Sequence, residues 1–335
     1  MQKKENVISN IEFLPTWVLF IPQFILLLWY AITRLRITYF TTANPGIYLS
    51  GLYDESKNEI LNLIPTQLVP KTLFLLGTIP ANAKFNEIEK AQFIYPLICK
   101  PDAGGRGVGV AKIENKNSLI DYLKECNSNL LVQEFIHLPN EAGIFFCASP
   151  MGKFFEITSL TLKTFLTVTG NGTSTVAALL KEIPRGAKQL DRLRIENQEL
   201  LISIPKMGKN ILIEPIGNHI RGTEFIDGKE FISAKMVASF KSIVSQIPGI
   251  YYGRFDVKFK DMESLENGIF SVLELNGLTS EPTHIYDPHY TLIKAWKSVW
   301  YHTAKMMKIA GENQKLGAKP ASVKEVWHCL YQHFK

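Results

Sequence analysis

The sequence predicts a mixed α/β (α+β) fold preceded by an apolar N-terminal helical segment, and three observations lead to this prediction. Of the 335 residues 46% are hydrophobic and the net charge is only +6, which excludes an intrinsically disordered chain. Short runs of β-branched and aromatic residues alternate with segments whose apolar residues recur at helical spacing. The longest uncharged stretch lies near the N-terminus. The small positive surplus fits phosphate-bearing ligands or an anionic membrane surface, and it is no signature of nucleic-acid binding.

The apolar segment, residues 1–36, contains the uncharged stretch Phe13–Thr33, which is as long as the roughly 20 residues that a bilayer-spanning helix needs. Aromatic residues near its ends and two arginines directly after it favour a membrane interface with the rest of the chain in the cytoplasm: Trp17, Trp29, Tyr30, Arg34 and Arg36. Two prolines interrupt the stretch, so one buried helix or two short ones is the alternative. We therefore predict a cytoplasmic catalytic part that is membrane-associated through residues 13–33, which either span the bilayer or lie on it.

The elements that follow show neither internal repeats nor a low-complexity linker. ITYFTTANPG, which begins at Ile37, is typical of a strand that ends in a turn, and ESKNEILNLI (residues 55–64) of a helix. The tail from Tyr290 is helical to about Ala310 and again from Ala321. Between these, TSTVAALLKEI and GKEFISAKMVASFKSIVSQI predict helices, and strands are predicted for KTLFLLG, FIYPLICKP, LLVQEFI, AGIFFCAS and KNILIEPIG. One compact catalytic unit is expected behind the N-terminal segment.

A glycine-rich loop joins two predicted strands in ICKPDAGGRGVGVAKI, residues 98–113. Glycines let backbone N–H groups approach an anion closely, and the ammonium group of Lys100 adds positive charge. The stretch lacks the GxxxxGK[ST] pattern of a P-loop, and its glycines precede a strand instead of opening a helix, so it is no dinucleotide fingerprint. The alternative is an ordinary glycine-rich hairpin.

The runs YYGRFDVKF and IFSVLELNG are predicted to pair as a hairpin. Because strand side chains alternate between faces, Arg254, Asp256, Glu274 and Asn276 can share one surface. Two carboxylates and an amide oxygen are hard oxygen ligands that suit Mg²⁺ bound to nucleotide phosphates. A solvated hairpin face is the alternative, although it leaves the lysine-bearing glycine loop unexplained.

The order of these motifs, with QEFI and Glu141 between the glycine loop and GRFD, resembles the ATP-grasp superfamily over roughly Glu55 to Pro288. The resemblance is to D-alanine–D-alanine ligase and to the ATP-grasp parts of cyanophycin synthetase and glutamate-adding ligases. It implies an ATP-grasp fold of two subdomains. The implied organisation is an N-terminal segment 1–36, a remnant of the preceding region 37–54, a lid subdomain 55–133, a large subdomain 134–310 and a helical tail 311–335.

The resemblance also implies roles at the nucleotide. Lys57 and Lys100 match the two lysines that contact the phosphates, and the glycine loop matches the lid. Lys163 is a third cation for the γ-phosphate, its alternative being an exposed lysine before a strand. The glycines of the loop that are implied to bind ATP are Gly104, Gly105 and Gly107. The residues implied to contact adenine are Gln133, Glu134 and Ile136, and Glu141 is implied to bind the ribose.

For metal and catalysis the matching residues are Asp256, Glu274 and Asn276 as Mg²⁺ ligands, with Arg254 and Lys100 as catalytic residues. Two Mg²⁺ ions are implied, with Mn²⁺ as an alternative metal. GNHIRGTEF resembles an element near the phosphate and acceptor site, which makes Asn218 and Arg221 substrate residues. NGLTSEPTHIYDP replaces the Pro-Gly turn of D-alanine ligases and places Glu281 and His284 at the acceptor, so a D-alanyl acceptor is poorly supported.

The activity implied is an ATP-dependent carboxylate–amine ligase that works through an acyl phosphate. Its partners would be small-molecule or peptide carboxylates and amines, together with a lipid surface and no nucleic acid. Two other functions stay open: an ATP-grasp kinase that phosphorylates a small acceptor, and a membrane-tethered nucleotide-binding protein without turnover.

Overall fold

The computed structural model describes residues 11–53, 55–105 and 107–333. The chain divides into two compact units where one was expected. Unit 1 comprises Met1–Thr161 and Asp227–Lys335, and unit 2 comprises Leu162–Ile226. Unit 2 is an insertion within the predicted large subdomain. The predicted boundary between residues 133 and 134 does not coincide with this division and stays a prediction.

The strands are β1 (Thr72–Leu75), β2 (Leu97–Pro101), β3 (Ala111–Ile113), β4 (Leu130–Glu134), β5 (Asn140–Ala148), β6 (Phe155–Thr164), β7 (Thr167–Thr169), β8 (Asn210–Leu212), β9 (Glu224–Asp227), β10 (Tyr252–Phe259) and β11 (Ser271–Asn276). The α-helices are α1 (Thr16–Leu19), α2 (Ile21–Arg34), α3 (Lys57–Asn62), α4 (Ala81–Lys90), α5 (Lys116–Glu125), α6 (Val176–Lys181), α7 (Pro184–Ala187), α8 (Leu190–Glu196), α9 (Gln198–Ile202), α10 (Ala234–Val244), α11 (Met262–Glu266), α12 (Leu292–Lys315) and α13 (Val323–His333).

Two sheets organise unit 1. The first has the strand order β1-β4-β2-β3 with antiparallel neighbours, and α4 and α5 contribute to its apolar core through Ile88, Leu119 and Leu123. The second has the order β11-β10-β5-β6-β9, and β6 and β9 contain the points where the chain passes between the units. Each predicted strand from KTLFLLG to KNILIEPIG overlaps an observed strand, whereas the earlier prediction, ITYFTTANPG, does not.

That first prediction is wrong, because residues 37–50 form two 3₁₀ helices, Tyr39–Thr42 and Tyr48–Ser50, in place of a strand. The Thr41 hydroxyl donates to the carbonyl of Thr38 (2.7 Å), and the Thr42 hydroxyl donates to that of Tyr39 (3.0 Å). Such local hydrogen bonds offer the backbone an alternative to a sheet ladder.

Asn44 then ties this segment to β10. Its Nδ2 donates to the carbonyl of Tyr252 (2.7 Å), and its Oδ1 accepts from the backbone N–H groups of Tyr251 (2.8 Å) and Tyr252 (2.9 Å). Residues 37–54, expected as a remnant, therefore hold the start of a central strand.

The uncharged stretch Phe13–Thr33 is divided between a 3₁₀ turn, α1 and α2. Pro22 lies in the first turn of α2, where its missing N–H costs nothing, and α2 ends at Leu35 in the left-handed conformation (φ 51°). Leu27 and Tyr30 pack against Met306, Met307 and Ala310, which α12 contributes to the core. Within the described ranges, no helix combines the length and the apolar character needed to cross a bilayer.

Unit 2 has its own apolar core. The hairpin β7–β8 pairs Thr167 with Leu212 and Val168 with Ile211. Short helices cover it. Helix α6 lies within the predicted TSTVAALLKEI but begins only at Val176, where the Thr175 hydroxyl caps it by accepting a hydrogen bond from the N–H of Ala178 (3.2 Å). The buried members of this core are Leu166, Val168, Val176, Leu180, Leu190, Leu193, Leu201 and Ile213.

Candidate active site

The predicted hairpin is present, formed by the antiparallel strands β10 and β11. Asp256 lies directly opposite Glu274, and Arg254 opposite Asn276. The Asn276 amide donates to Asp256 Oδ2 (3.1 Å), and the Arg254 guanidinium binds the same oxygen through Nη2 (2.8 Å) and Nε (3.2 Å). The alternation of side chains along two local strands thus places these four residues on one face, as the sequence predicted.

A β-bulge follows this pair. Opposite the step from Asp256 to Val257 the register jumps from Glu274 to Val272, so Leu273 is an extra residue in β11. The carbonyl of Leu273 accepts a hydrogen bond from Lys100 Nζ (2.9 Å). The bulge therefore connects the β10–β11 hairpin to Lys100, the lysine that precedes the glycine loop. No pattern in the sequence predicts this bulge.

Lys100 is buried on β2, where its Nζ also donates to Gln133 Oε1 (3.1 Å) on the neighbouring strand β4. Burial is the largest cause that lowers the pKa of Lys100 to about 8; the nearby charge of Lys57 acts in the same direction, and the carboxylates of Glu274 and Asp256 oppose the shift. The ammonium group therefore loses its proton at a pH that is accessible to enzyme assays.

Lys57 is the first residue of α3, a helix capped by Ser56, whose hydroxyl accepts from the N–H of Glu59 (3.1 Å). Its Nζ hydrogen-bonds to the carbonyl of Gly104 and lies 3.6 Å from Glu274 Oε1. Gly104 has a φ of +106°, which disfavours any other residue, and added side-chain atoms there or at Gly105 would meet open space. Lys57 therefore connects the glycine loop to the carboxylate face.

Arg254 is the most constrained cation of the site. Besides its two bonds to Asp256, its Nη1 donates to the carbonyl of Glu281 (2.9 Å). Burial alone would lower the pKa of Arg254, but the ion pair with Asp256 raises it on balance, so the charge is permanent. Three of the five N–H groups of the guanidinium make these contacts.

Two residues that the sequence did not single out as site residues also line this face. A Cβ at Gly143 on β5 would lie 3.1 Å from Arg254 Cδ and 3.3 Å from Thr283 Oγ1, so a larger residue there would press against both side chains. The buried Thr283 hydroxyl makes no hydrogen bond within the described ranges, although buried hydroxyls usually find a partner.

The donor set suits a hard divalent cation. Asp256 and Glu274 present carboxylate oxygens from directly opposite positions, and the Asn276 amide adjoins them. Among the described residues no group of three or more His, Cys, Asp and Glu side chains is placed to hold a metal ion, so a cation on this face would draw on the two carboxylates and on the Asn276 amide. Its nitrogen now faces Asp256, and the amide has to turn over to offer its oxygen.

The residues predicted to bind the adenosine part lie in and after β4. Gln133 bridges Lys100 and Thr72, whose hydroxyl accepts from its Nε2 (3.0 Å). Glu134 ends the strand and Ile136 follows it. The buried Glu141 on β5 faces Lys258 at 3.9 Å. Their contacts with a nucleotide stay predictions.

Lys163, Asn218 and Arg221 belong to unit 2. Lys163 Nζ lies 5.8 Å from the ring centroid of Phe225, and the Asn218 side chain accepts from the N–H of Ile220 (2.8 Å). Arg221 is engaged within the unit by two carboxylates, those of Glu214 (2.8 Å) and Glu196 (3.2 Å). Their predicted substrate roles are likewise untested.

A cavity of about 260 Å³ opens beside the N-terminus of α3, directly before Lys57. Its walls come from residues 46–48 and 55–63, and two carboxylates line it. The principal lining residues are Ile47, Tyr48, Glu55, Ser56, Glu59 and Leu63. The segment expected as a remnant thus contributes three of the eight residues that line a small acidic pocket.

His284, which the sequence places at the acceptor, is buried in the structure. Its Nδ1 contacts the Ser159 hydroxyl (2.6 Å) and its Nε2 the Ser298 hydroxyl (2.8 Å). His302 on α12 lies beside it and contacts Thr158 Oγ1 (3.0 Å). Burial lowers the pKa of His284 to about 4 and that of His302 to about 3. Both rings therefore stay neutral in the folded protein.

We expect this histidine pair to make the protein sensitive to acid. Between pH 6.5 and about 4 the unfolded chain binds protons that the folded chain does not, so stability falls as pH falls, by about 1.4 kcal/mol per pH unit for each fully titrating histidine. Urea unfolding at pH 7 and pH 5 measures this loss. His302→Gln should be less stable at pH 7 but lose less on acidification, and an equal loss in both proteins would contradict the assignment.

The chain matches no protein-family model and no curated protein. Among solved structures, it is similar to the bifunctional glutathione synthetase from Pasteurella multocida (16% identity, TM-score 0.40, 77% of this chain and 37% of that one). It is also similar to the VanG D-Ala:D-Ser ligase from Enterococcus faecalis (15%, 0.42, 76% and 61%). A third similar structure is the D-alanine–D-alanine ligase from Bacillus anthracis (15%, 0.40, 76% and 68%).

The chain thus spans little more than a third of the first of these proteins and about three fifths of the second. At these identities and TM-scores the similarity assigns neither a substrate nor the role of any residue.

Proposed function

We propose that this protein is an ATP-dependent ligase of the ATP-grasp type that joins a carboxylate to an amine. One observation carries the proposal: three cationic side chains and two carboxylates meet on the β10–β11 face beside a glycine loop. Lys57 lies 3.6 Å from Glu274, Arg254 lies 2.8 Å from Asp256, and Lys100 reaches the bulge carbonyl between them. This combination of charges is better explained as a binding site for the phosphates of ATP than as a solvent-exposed hairpin face.

The proposed reaction has two steps. The γ-phosphoryl group passes from ATP to a carboxylate oxygen, and ADP leaves. The amine then attacks the acyl carbon, inorganic phosphate leaves, and the nitrogen loses a proton. Mg²⁺, when bound by Asp256, Glu274 and Asn276, neutralises phosphate charge. Lys57 and Lys100 hold the phosphates, and Arg254 stabilises the oxyanion that forms as the amine adds.

The remaining residues are proposed to position ATP and substrates. Gln133 orients Lys100, and the glycine loop excludes water that would hydrolyse the acyl phosphate. Glu281 is fixed at the site by Tyr286, whose hydroxyl donates to it (2.7 Å), and by its carbonyl bond to Arg254. The acidic cavity beside α3 suits the cationic form of an amine, so diamines and polyamines belong among the candidate substrates.

The test is a phosphate-release screen with Mg²⁺, ATP and pairs drawn from amino acids, peptides, dicarboxylates and polyamines. We expect at least one pair to stimulate release and to give an amide product by mass spectrometry, and Asp256→Asn to abolish both. A phosphorylated acceptor without an amide would replace the proposal with a kinase. ATP binding without turnover in any mixture would replace it with a nucleotide-binding protein.

A further inference from the structure

Helix α2 has two different faces. Its inner face is part of the core, where Leu26 is 6% exposed and Leu27 and Tyr30 pack against α12. Its outer face, continued by Trp17 of α1, carries large apolar side chains that are each more than half exposed. These side chains, the α2 outer face, are Trp17, Phe24, Ile25, Leu28, Trp29 and Ile32.

The composition around this face is one-sided. No acidic residue occurs between Phe13 and Tyr53, and the charges in that range are those of Arg34 and Arg36, both exposed directly after the apolar side chains. Contiguous exposed apolar patches on monomeric proteins mark interaction sites. The face itself consists of two tryptophans and four other apolar side chains, and two exposed guanidinium groups follow it, so it complements a surface of apolar chains and phosphates.

We propose that the α2 outer face lies in the headgroup region of an anionic lipid bilayer, parallel to the membrane plane. The 14 residues of α2 measure about 21 Å, well short of the roughly 30 Å of hydrocarbon that a spanning helix crosses. Its inner face is held by Met306, Met307 and Ala310, so α2 cannot leave the protein to insert upright without uncovering that core.

Each component of the face has a place in such an arrangement. The aliphatic and phenyl side chains enter the boundary of the acyl chains, as on other interfacial helices. Trp17 and Trp29 present amphipathic rings that favour the depth of the headgroups. Arg34 and Arg36 pair with lipid phosphates, because a basic residue near an anionic leaflet strengthens binding.

The experiment is flotation of the full chain with vesicles of phosphatidylcholine alone or with 30% phosphatidylglycerol. We expect binding that favours the anionic vesicles. Phe24→Gln/Leu28→Gln/Trp29→Gln should lower the partition coefficient by about 100-fold, since three large apolar side chains lose their burial. Arg34→Gln/Arg36→Gln should lower it about 30-fold on anionic vesicles and leave binding to neutral ones unchanged. Trp327→Gln, a change at a 69% exposed tryptophan on α13, is the matched control and should bind as wild type.

Lipids brominated near the headgroup should quench the tryptophan fluorescence of the bound protein more than lipids brominated at the chain ends, and a spanning helix would reverse this order. Circular dichroism checks that the variants fold. Absence of binding to either vesicle, equal loss in the Trp327 control, or a dimer in solution that the triple variant dissociates would overturn the proposal, the last by making the face a contact between two copies.

Discussion

Replacing Arg254 by methionine is expected to lower kcat by about 100- to 1000-fold, the usual cost of removing one donor to a developing oxyanion. Hydrogen bonds to Asp256 Oδ2 and to the Glu281 carbonyl hold the guanidinium in place. The N–H groups that make neither bond are therefore held in a fixed orientation. Arg254→Lys should lose nearly as much, because a lysine cannot make the paired bond to Asp256 and keep a second contact. Once a substrate pair is known, initial rates at saturating ATP measure this effect.

The matched control is Arg194→Met, the same substitution at an exposed arginine that pairs with Asp191 on α8. It should leave kcat unchanged. Arg254→Met also leaves Asp256 with fewer partners, so the free energy of unfolding has to be measured beside the rates. A large loss of stability with kcat intact in the folded fraction would show that Arg254 supports the hairpin and takes no part in the reaction.

The second large effect concerns pH. Because burial sets the pKa of Lys100 at about 8, kcat/KM for ATP should fall about tenfold per pH unit above that value as the ammonium charge is lost. Lys100→Arg keeps its charge throughout and should show no such break, whatever its absolute rate. Initial rates at subsaturating ATP between pH 6.5 and pH 10 test this.

A loss of stability would not produce the same fall of kcat/KM with rising pH. The folded-state pKa of Lys100 lies below the ordinary 10.5, so between pH 8 and 10.5 the unfolded chain binds more protons, and this group's contribution to stability increases with pH. Activity should therefore fall where this contribution grows. A wild-type profile that stays flat to pH 10 would mean that the ammonium of Lys100 does not hold the phosphates.

The sequence predicted the β10–β11 face because its signal is local. Alternation along two strands with a short connection places Arg254, Asp256 and Glu274 together whatever the rest of the chain does. The connection itself, predicted only as polar, contains the short helix α11, which Asp261 caps through the N–H of Ser264 (2.8 Å). Helices this short give little periodicity to detect.

What the sequence could not predict depends on distant partners. The contact of Lys100 with the Leu273 carbonyl joins residues 173 positions apart and requires a bulge that no motif marks. The burial of His284 depends on Ser159 and Ser298, which come from different elements. The threonines after Ile37 favour a strand by propensity, yet their hydroxyls bond to nearby carbonyls and Asn44 binds the start of β10.

The Asn44 contact bears on the distance between α2 and the β10–β11 face. It couples the end of α2, only ten residues earlier, to the strand that carries Arg254 and Asp256, through three hydrogen bonds to Tyr251 and Tyr252. Under the two proposals above, this short connection and the packing of α2 against the core cluster together limit how far the β10–β11 face can lie from the surface that α2 contacts. A substrate tethered to the same surface would have to present its reacting group at one fixed distance, so its length would be selected as well as its chemistry.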